Sequence, residues 1–349
     1  MYPALAVVEA LGKDVEILWV GSMNGIEVSL VERAGIPFQP IPAAGVHGVG
    51  LGALPGNVWA LVKGFIAARG LIGQFKPNVI FFTGGFVGVP TALAARSIPK
   101  VTFTPDIEPG LALKIITRMA DLITVSTASS KRFHADRDVL VSGYPTRSAL
   151  RTMTKSKGRE ILELPSDQPV LLVFGGSRGA HSINSAFWNE IERVLQLTYV
   201  VHITGELDWH SINEVQRSIP PQLTEKYRPY RYLHEKMPAA IAAADLALTR
   251  AGASTLGEFT VQGLASILVP YPHAWRYQKT NADYLVSRGA AMVIKDEELA
   301  DTFYTSLSSL LADSEKLGAM SEAARALARP DAAQKIASVL RRFEQKAAH

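Results

Sequence analysis

At 349 residues the chain exceeds the usual size of a single core and fits two domains. Hydrophobic residues make up 48% of it and charged residues 19%, which is typical of a globular protein and argues against a disordered one. The formal net charge of +4 permits contact with an anionic membrane or a diphosphate, and it is too small to predict nucleic-acid binding.

Cysteine is absent from the sequence, which excludes disulfides and thiolate chemistry and suits a cytoplasmic protein. No signal peptide is recognisable, and no apolar run approaches the ~20 residues that a bilayer span needs. We therefore expect a chain without a membrane-spanning helix.

The chain opens on a helix rather than on a strand. Residues 2–12 predict a helix with Pro3 in its first turn and Gly12 just past its end, and residues 15–20 predict the strand that follows. A doubly wound domain places a strand and a glycine-rich turn ahead of its first helix. Neither stands ahead of Tyr2 in this sequence.

Residues 59–75 predict an amphipathic helix in which apolar side chains stand beside Lys63 and Arg69. The glycine-rich residues 46–56 ahead of it predict a mobile loop. In one interpretation the apolar side of the helix packs on its own sheet. In the other it lies on a membrane surface, with the basic side chains against anionic lipid. The sequence leaves both open.

A glycine loop follows the next predicted strand, residues 79–82. Thr83, Gly84 and Gly85 come directly after this strand, and a helix starts at Pro90. Backbone N–H groups that glycines leave accessible suit a diphosphate. Further strands are predicted at residues 100–104, 122–125 and 139–141.

The second half of the chain repeats the arrangement. Residues 170–174 predict a core strand, followed at once by the glycine loop 175–180 and a helix. Strand, glycine turn and helix N-terminus together form an anion-binding geometry. The dinucleotide spacing GxGxxG is absent, which argues against a nicotinamide or flavin enzyme.

Residues 250–281 carry the densest set of polar candidates. Ser254 or Thr255 is predicted to cap a helix whose N-terminal N–H groups favour a phosphate. Glu258 is predicted one turn inside that helix, where a carboxylate accepts hydrogen bonds from ribose hydroxyls. Gln278 follows the predicted strand 265–270, at the edge where open α/β sheets bind ligands. These residues predict a nucleotide-sugar pocket, and an ordinary crossover with polar ends is the alternative.

These motifs resemble those of the bacterial N-acetylglucosaminyltransferases of glycosyltransferase family 28, which make lipid II. The resemblance covers nearly the whole chain and is most specific in residues 250–281. It implies an α/β fold of GT-B architecture, in which two Rossmann-like doubly wound domains face a central cleft. Residues 1–147 would form the acceptor and membrane-associating domain and residues 148–330 the UDP-sugar donor domain. Residues 331–349 would form a C-terminal helix that packs back on the N-terminal domain.

The resemblance also implies substrate sites. The donor UDP-N-acetylglucosamine (UDP-GlcNAc) is expected at Arg147, Gly176, Ser177, Leu233, Ser254, Thr255, Glu258 and Gln278. The lipid-linked muramoyl-pentapeptide acceptor is expected at Thr83, Gly84, Gly85 and Asp106. Within the donor site, an arginine fork would hold a phosphate and the leucine would lie against uracil. No metal or cofactor is expected, because no DxD-like acidic pair stands where a metal would be needed.

The sequence departs from the family pattern in two places. The segment GGTGGH, which carries the family's catalytic histidine and runs into a pattern matching residues 2–5, is not in this sequence. We expect a start codon placed too late or a shortened clone, with a shortened, inactive enzyme as the alternative. Residues 103–106 stand where the family has HEQN, so the acceptor contacts of the family do not carry over there. The catalytic base is unknown, because the family's histidine lies in the segment that is not in this sequence. Asp106 and Glu108 are the remaining candidates for it, and ordinary surface-turn carboxylates are the alternative for both.

The expected activity is inverting transfer of N-acetylglucosamine from UDP-GlcNAc to lipid I, giving lipid II. The protein is expected to be peripheral on the cytoplasmic face of the cell membrane, against an anionic surface, with no nucleic-acid partner. Three alternatives stay open. They are a GT-B glycosyltransferase with another lipid or natural-product acceptor, a UDP-GlcNAc epimerase, and an inactive UDP-sugar-binding protein.

Overall fold

The computed structural model describes residues 1–23, 27–45, 54–134, 136–176, 179–272 and 275–347, without the side chains of 54, 275, 276 and 344–347. The chain divides into two compact units. The first unit is Met1–Arg147 with Pro330–His349, and the second is Ser148–Arg329. Every strand pairing among the described residues is parallel, as expected when strands alternate with helices.

The strands of the first unit form two separate sheets. One is the pair β1-β2, and the other has the order β3-β4-β5-β6. The elements up to the end of these sheets are α1 (Tyr2–Leu11), β1 (Trp19–Gly21), α2 (Glu27–Arg33), β2 (Phe38–Pro40), α3 (Leu54–Phe75), β3 (Ile80–Phe82), α4 (Gly88–Ala94), β4 (Lys100–Thr104), α5 (Leu111–Thr117), β5 (Leu122–Val125) and β6 (Val139–Val141).

The start of the first unit agrees with the sequence only in part. Helix α1 begins with Pro3 in its first turn and ends before Gly12, whose φ of 77° suits glycine. The strand predicted at residues 15–20 is shorter and later, because only β1 pairs, through Trp19–Gly21. Strand β2 was not predicted, because it has only three residues and prolines, which are rare in strands, lie before it and at its end. Residues 46–53 of the predicted mobile loop lie outside the described residues.

The prediction that no stretch reaches the length of a membrane span is wrong for helix α3. Its residues Pro55–Phe75 are long and apolar enough to cross a membrane by length and composition, with a mean hydropathy of 1.2. Only 11% of that stretch is buried. Length and hydropathy alone are weak evidence, and this helix also carries the charges of Lys63 and Arg69.

The second unit holds one continuous sheet with the order β12-β11-β10-β7-β8-β9. The chain steps from β7 outward to β9 on one side and from β10 outward to β12 on the other, so the strand order reverses between β7 and β10. The elements are α6 (Ser148–Thr152), α7 (Lys155–Ile161), β7 (Val170–Phe174), α8 (His181–Asn189), α9 (Ile191–Leu197), β8 (Tyr199–Ile203), α10 (Ile212–Ser218), β9 (Tyr227–Tyr230), α11 (Met237–Ala243), β10 (Leu246–Thr249), α12 (Glu258–Gln262), β11 (Ala265–Leu268), α13 (Trp275–Val286), β12 (Ala291–Val293), α14 (Leu299–Ala312) and α15 (Ser314–Ala326); the next helix, α16 (Ala332–Ala347), belongs to the first unit.

Burial of both faces explains why this sheet reads as continuous apolar runs. Leu171 packs in one core cluster with Phe187, whereas its neighbour Leu172 packs in a second cluster with Phe259. Successive side chains of a strand point to opposite faces, so helices cover the sheet on both sides. The loops at the carboxyl ends of these strands are thereby left as the accessible edge of the sheet.

His202 lies at the centre of the second unit on β8. Both ring nitrogens of this buried histidine have side-chain partners. Its Nδ1 lies 2.9 Å from the Tyr227 hydroxyl, and its Nε2 lies 3.0 Å from Oδ1 of Asn184. Burial lowers the pKa of His202 from 6.5 to about 3. The imidazole is therefore neutral at physiological pH.

Candidate functional site

The candidate site of the second unit is built on the carboxyl-end edge of its sheet. Ligands of open α/β sheets bind outside these strand ends, at the point where the strand order reverses. In this unit that point lies between β7 and β10. The loops that follow these two strands are the glycine loop from Gly175 and the segment from Arg250, which carry the sequence-predicted candidates.

The glycine loop after β7 requires glycine at two positions. A Cβ on Gly175 would lie 2.3 Å from the backbone N of Ala180, and one on Gly179 would lie 2.3 Å from the Thr204 carbonyl oxygen. Gly179 also has a φ of 85°, which side chains disfavour. The loop therefore turns sharply into α8, whose first N–H groups favour an anion. The donor candidate Gly176 lies in this loop, and Ser177 lies outside the described residues.

The segment after β10 differs from the predicted capped helix. Residues Ala253–Leu256 form a 3-10 turn, and α12 follows with Gly257 at its N-cap and no side-chain cap bond. The Thr255 hydroxyl donates instead to the carbonyl of Gly252, at 2.8 Å. The prediction that Ser254 or Thr255 caps this helix is therefore wrong, because both residues lie within the preceding turn. Their role in donor binding stays a prediction.

Glu258 also lies at a different helical position from the one expected. It is the first residue of α12, not one turn inside a helix, and its side chain is buried with 8% of the residue exposed. A carboxylate in the first turn faces the positive end of the helix dipole, which stabilises its charge.

A hydrogen-bonded network around Arg250 joins the two loops that flank the switch point. The Arg250 guanidinium donates to the Val269 carbonyl at 3.1 Å and to the Ser182 hydroxyl at 2.7 Å, and it pairs with the Asp296 carboxylate. Ser182 in turn donates to Asp296 at 2.8 Å. The network thus links the first turn of α8 to the ends of β10 and β11.

Three further bonds fix the neighbouring loops of the same unit. The Gln278 side-chain oxygen accepts from the backbone N–H of Tyr271 at 2.9 Å, so α13 holds the loop after β11. The Asn281 side chain donates to the Ala251 carbonyl at 3.2 Å. Leu233 is 6% exposed and packs in a core cluster, and its contact with a base stays a prediction. Its carbonyl accepts from the Lys236 N–H at 2.7 Å.

The acceptor candidates of the first unit lie in the loops after β3 and β4. Gly84 and Gly85 have φ values of 108° and 88°, so the loop that Thr83 opens takes a conformation that glycine favours. Asp106 lies partly exposed just beyond β4.

Glu108 is buried, so its interpretation as a surface-turn carboxylate is wrong. Only 3% of the residue is exposed, and its Oε1 lies 3.0 Å from Nζ of Lys114 on α5. The ion pair fixes the loop between β4 and α5. A buried, paired carboxylate is badly placed to take a proton from a bulky acceptor, which leaves Asp106 as the better candidate of the two.

Arg147 ends the first unit. Its guanidinium carbon lies 4.4 Å from the centre of the Tyr2 ring, at the start of α1. Its Nε is buried and makes no hydrogen bond. A buried guanidinium N–H without an acceptor retains its capacity to bind an anion. Stacking on Tyr2 fixes the plane of the guanidinium group.

A search of the described residues for metal sites found no group of three or more histidine, cysteine, aspartate or glutamate side chains that could hold a metal ion.

The chain matches known proteins along nearly its whole length. Residues 1–125 match the N-terminal domain of glycosyltransferase family 28, and residues 170–336 match its C-terminal domain. A UDP-N-acetylglucosamine–N-acetylmuramyl-(pentapeptide) pyrophosphoryl-undecaprenol N-acetylglucosamine transferase of Roseiflexus sp. (strain RS-1) is 40% identical, over 93% of this chain and 82% of the relative.

The chain belongs to glycosyltransferase family 28. A second relative, a transferase of the same name from Desulforamulus reducens, is 35% identical over 96% of this chain and 93% of its own length.

Solved structures agree with the fold. MurG of Acinetobacter baumannii superposes with a TM-score of 0.75 at 25% identity, covering 98% of this chain and 95% of that one. The calicheamicin glycosyltransferase CalG4 superposes at 0.70 with 17% identity, over 100% of this chain and 96% of that one, and shows the fold alone. This family 28 chain therefore has the α/β GT-B fold, and the two Rossmann-like units expected from the sequence are confirmed.

Arg250 is the residue that the sequence analysis missed. A cationic residue directly after a buried strand, at the ligand edge of the sheet, was the available signal. Its partner Asp296 lies 46 residues further along the chain, and no local pattern joins the two. Only the tertiary structure places this charge pair beside α8.

Proposed function

We propose that this chain transfers N-acetylglucosamine from UDP-GlcNAc to undecaprenyl-diphospho-muramoyl-pentapeptide, with inversion, to give lipid II. Two relatives named for this transfer are 40% and 35% identical over nearly the full length, and this similarity carries the proposal. The switch point of the second unit supports it, since a glycine loop and a helix N-terminus suit the diphosphate of a nucleotide sugar.

The donor binds on the second unit in this proposal. Gly176, Ser177 and the first turn of α8 hold the diphosphate, and Glu258 accepts hydrogen bonds from the ribose. Gln278, Ser254 and Thr255 line the sugar side, Leu233 backs the uracil, and Arg147 supplies a cation for a phosphate. These groups stabilise the departing UDP without a metal.

The acceptor binds on the first unit, at Thr83, Gly84, Gly85 and Asp106. The acceptor hydroxyl oxygen forms a bond to the anomeric carbon of the sugar while the bond from that carbon to the UDP oxygen breaks. UDP leaves with the electron pair, and a base takes the hydroxyl proton. Asp106 is the described carboxylate proposed to take it.

The membrane contact is proposed on α3. Val58, Trp59, Val62 and Ile66 are between 41% and 63% exposed, and they fall on one side of the helix. Nζ of Lys63 lies 5.5 Å from the centre of the Trp59 ring, so a positive charge borders the apolar face. An aromatic residue with a cation beside it is typical of a membrane interface. The protein would then be peripheral at the cytoplasmic face.

One experiment separates the candidate functions. Purified protein is incubated with UDP-GlcNAc labelled in the sugar, together with a lipid I analogue. Label in the lipid supports the transferase. A parallel incubation offers other lipid or natural-product acceptors in place of the lipid I analogue, and label found only there supports a related GT-B transferase. A putative UDP-GlcNAc 2-epimerase of Listeria monocytogenes shares the fold, with a TM-score of 0.70, so release of an epimer is the second outcome to score. Tight UDP binding without turnover would contradict both.

A further inference from the structure

A serine, a histidine and an aspartate form a hydrogen-bonded row on the surface of the second unit. Ser185 and His181 lie one turn apart on α8, and Oγ of Ser185 is 3.3 Å from Nε2 of His181. The other ring nitrogen, Nδ1, is 2.9 Å from Oδ1 of Asp208, in the loop after β8. A nucleophile, a base and a third group that orients the base are the parts of an activated serine.

Asp208 is the buried member of this row. The residue is 7% exposed, whereas the side chain of His181 is 79% exposed. The second carboxylate oxygen, Oδ2, accepts a hydrogen bond from Nδ2 of Asn184 at 2.7 Å. The carboxylate is therefore fixed from the core side, while its Oδ1 faces the exposed imidazole.

The directions of the hydrogen bonds behind Asp208 follow from Asn184. Its Nδ2 donates to the Thr204 carbonyl at 2.9 Å as well as to Asp208, so its Oδ1 is the atom that faces His202. Nε2 of His202 therefore carries a proton, and Nδ1 accepts from the Tyr227 hydroxyl at 2.9 Å. Each donor in this buried row points towards Asp208, so the row fixes the position of the carboxylate.

The carboxylate also sets the tautomer of His181. An aspartate carboxylate only accepts hydrogen bonds, so Nδ1 of His181 carries the proton in their contact. In the neutral imidazole Nε2 is then the bare nitrogen, and the Ser185 hydroxyl donates to it. A hydroxyl that already donates to a base can give up its proton to that base as its oxygen attacks.

We propose that Ser185, His181 and Asp208 form a second reactive site, in which activated carboxylic esters acylate Ser185. Oγ bonds to the carbonyl carbon while Nε2 of His181 takes the hydroxyl proton. The bond from that carbon to the leaving oxygen breaks, the electron pair goes with this oxygen, and His181 returns the proton to it. Water then hydrolyses the acyl-serine to a carboxylic acid by the same proton transfers. Asp208 is a positioning residue, since it acts through His181.

The surroundings of the row indicate which esters it takes. Leu207, directly before Asp208, is 67% exposed, and Trp188 is partly exposed one turn beyond Ser185 on α8. An aryl ester would cover apolar surface of this kind on binding. The row is open to water, which weakens the electrostatic stabilisation of a developing oxyanion. A good leaving group is therefore required, and aryl esters supply one.

The first probe is an alkyl fluorophosphonate, incubated with the 349-residue protein. Oγ of Ser185 attacks phosphorus, fluoride leaves with the electron pair of the P–F bond, and His181 takes the proton. Mass spectrometry of the intact protein and of its peptides gives the rate and the position of labelling. We expect an adduct on Ser185 that forms faster than on any other serine. No adduct on Ser185, or equal rates on Ser185 and on other exposed serines, would overturn the proposal.

Two serine variants define the background. Ser185→Ala should lose the adduct. Ser218→Ala is the matched control, because Ser218 is an exposed helical serine whose hydroxyl donates to the Val215 carbonyl at 2.7 Å. It should be labelled at the rate of the unaltered protein. Labelling of the unaltered chain at Ser185 remains the deciding measurement even where a variant folds poorly.

Histidine and aspartate variants test the two supporting groups. His181→Gln should slow labelling by about 100-fold or more, since the general base is lost. His210→Gln is its control, because Nδ1 of the exposed His210 lies 2.8 Å from the Leu207 carbonyl oxygen. In Asp208→Asn a single oxygen faces two donors, so we expect the proton of His181 to move to Nε2 and labelling to slow as well. Two-bond ¹H–¹⁵N spectra of the imidazole report this tautomer. An unchanged rate in His181→Gln refutes the base, and an unchanged tautomer in Asp208→Asn refutes the positioning role.

The second probe, p-nitrophenyl acetate, tests acyl transfer itself. We expect a burst of nitrophenolate stoichiometric with the protein, then slower release as water hydrolyses the acetyl-serine. Ser185→Ala should lack the burst and keep the Kd for UDP in calorimetry, which shows that the second unit is folded. Release at the unaltered rate from Ser185→Ala would contradict the proposal. No UDP-sugar enters either labelling reaction, so the outcome is independent of the transferase proposal.

Discussion

Replacing Arg250 by alanine is expected to destabilise the second unit and to weaken its hold on a nucleotide. The Arg250 side chain is only 10% exposed, and it bonds to a carboxylate, a hydroxyl and a carbonyl. Breaking a buried ion pair costs about 3–5 kcal/mol. Asp296 is 21% exposed and keeps its bond from Ser182, so we expect a cost at or just below the lower end of that range, about 2–3 kcal/mol.

The free energy of unfolding is measured by urea titration, and the affinity for UDP by calorimetry. Loss of Arg250 also frees the first turn of α8, so we expect UDP to bind about tenfold more weakly, which corresponds to ~1.4 kcal/mol. Arg231→Ala is the control, since Arg231 forms an exposed pair with Glu206 and such pairs contribute little. Equal stability and UDP affinity in the two variants would refute the argued role of the network.

Three further outcomes follow from single side chains. Glu258→Ala should weaken UDP binding by about 1–3 kcal/mol, because buried ribose hydroxyls lose an ionised acceptor, and unchanged affinity in calorimetry would count against it. Burial lowers the pKa of His202 from 6.5 to about 3, so below pH 6.5 the unfolded chain takes up a proton that the folded chain does not. The free energy of unfolding therefore decreases as the pH is lowered from 6.5 towards 3, by about 2 kcal/mol at pH 5. Urea titrations at several pH values should show this decrease in the unaltered protein and not in His202→Gln. Trp59→Ser should reduce binding to vesicles of anionic lipid several-fold, and equal co-sedimentation of both proteins would argue against α3 as the membrane face.

The sheet of the second unit was predictable because its strands are buried on both faces. Strand β7 has the boundaries that the sequence predicted, at residues 170–174. Continuous apolar runs followed by glycine turns leave few alternatives for such segments. The strands of the first unit that begin at Lys100 and Leu122 were predictable for the same reason.

Short elements and long-range polar contacts were not predictable. The turn that places Thr255 before a helix, rather than at its cap, depends on the φ and ψ angles of Gly252 and Gly257. A sequence pattern gives residue types but not these angles. The burial of Glu108 against Lys114 and the network of Arg250 depend on how separate elements pack. Periodicity contains no information on such pairs.

The proposed acceptor loop lies in the first unit, and the sheet that carries most of the proposed donor residues lies in the second. The second unit has a continuous sheet, and its candidate residues lie on loops held by backbone and side-chain bonds. In the first unit, Gly84 and Gly85 give the loop after β3 a conformation that glycine favours, with φ values of 108° and 88°. The proposed acceptor contacts lie on this loop, and the proposed donor contacts on the second unit belong to loops of a different sheet. We therefore expect Gly84→Ala, which strains the loop, to slow transfer to lipid I and to leave the Kd for UDP within about twofold. A parallel change in both quantities would refute this separation.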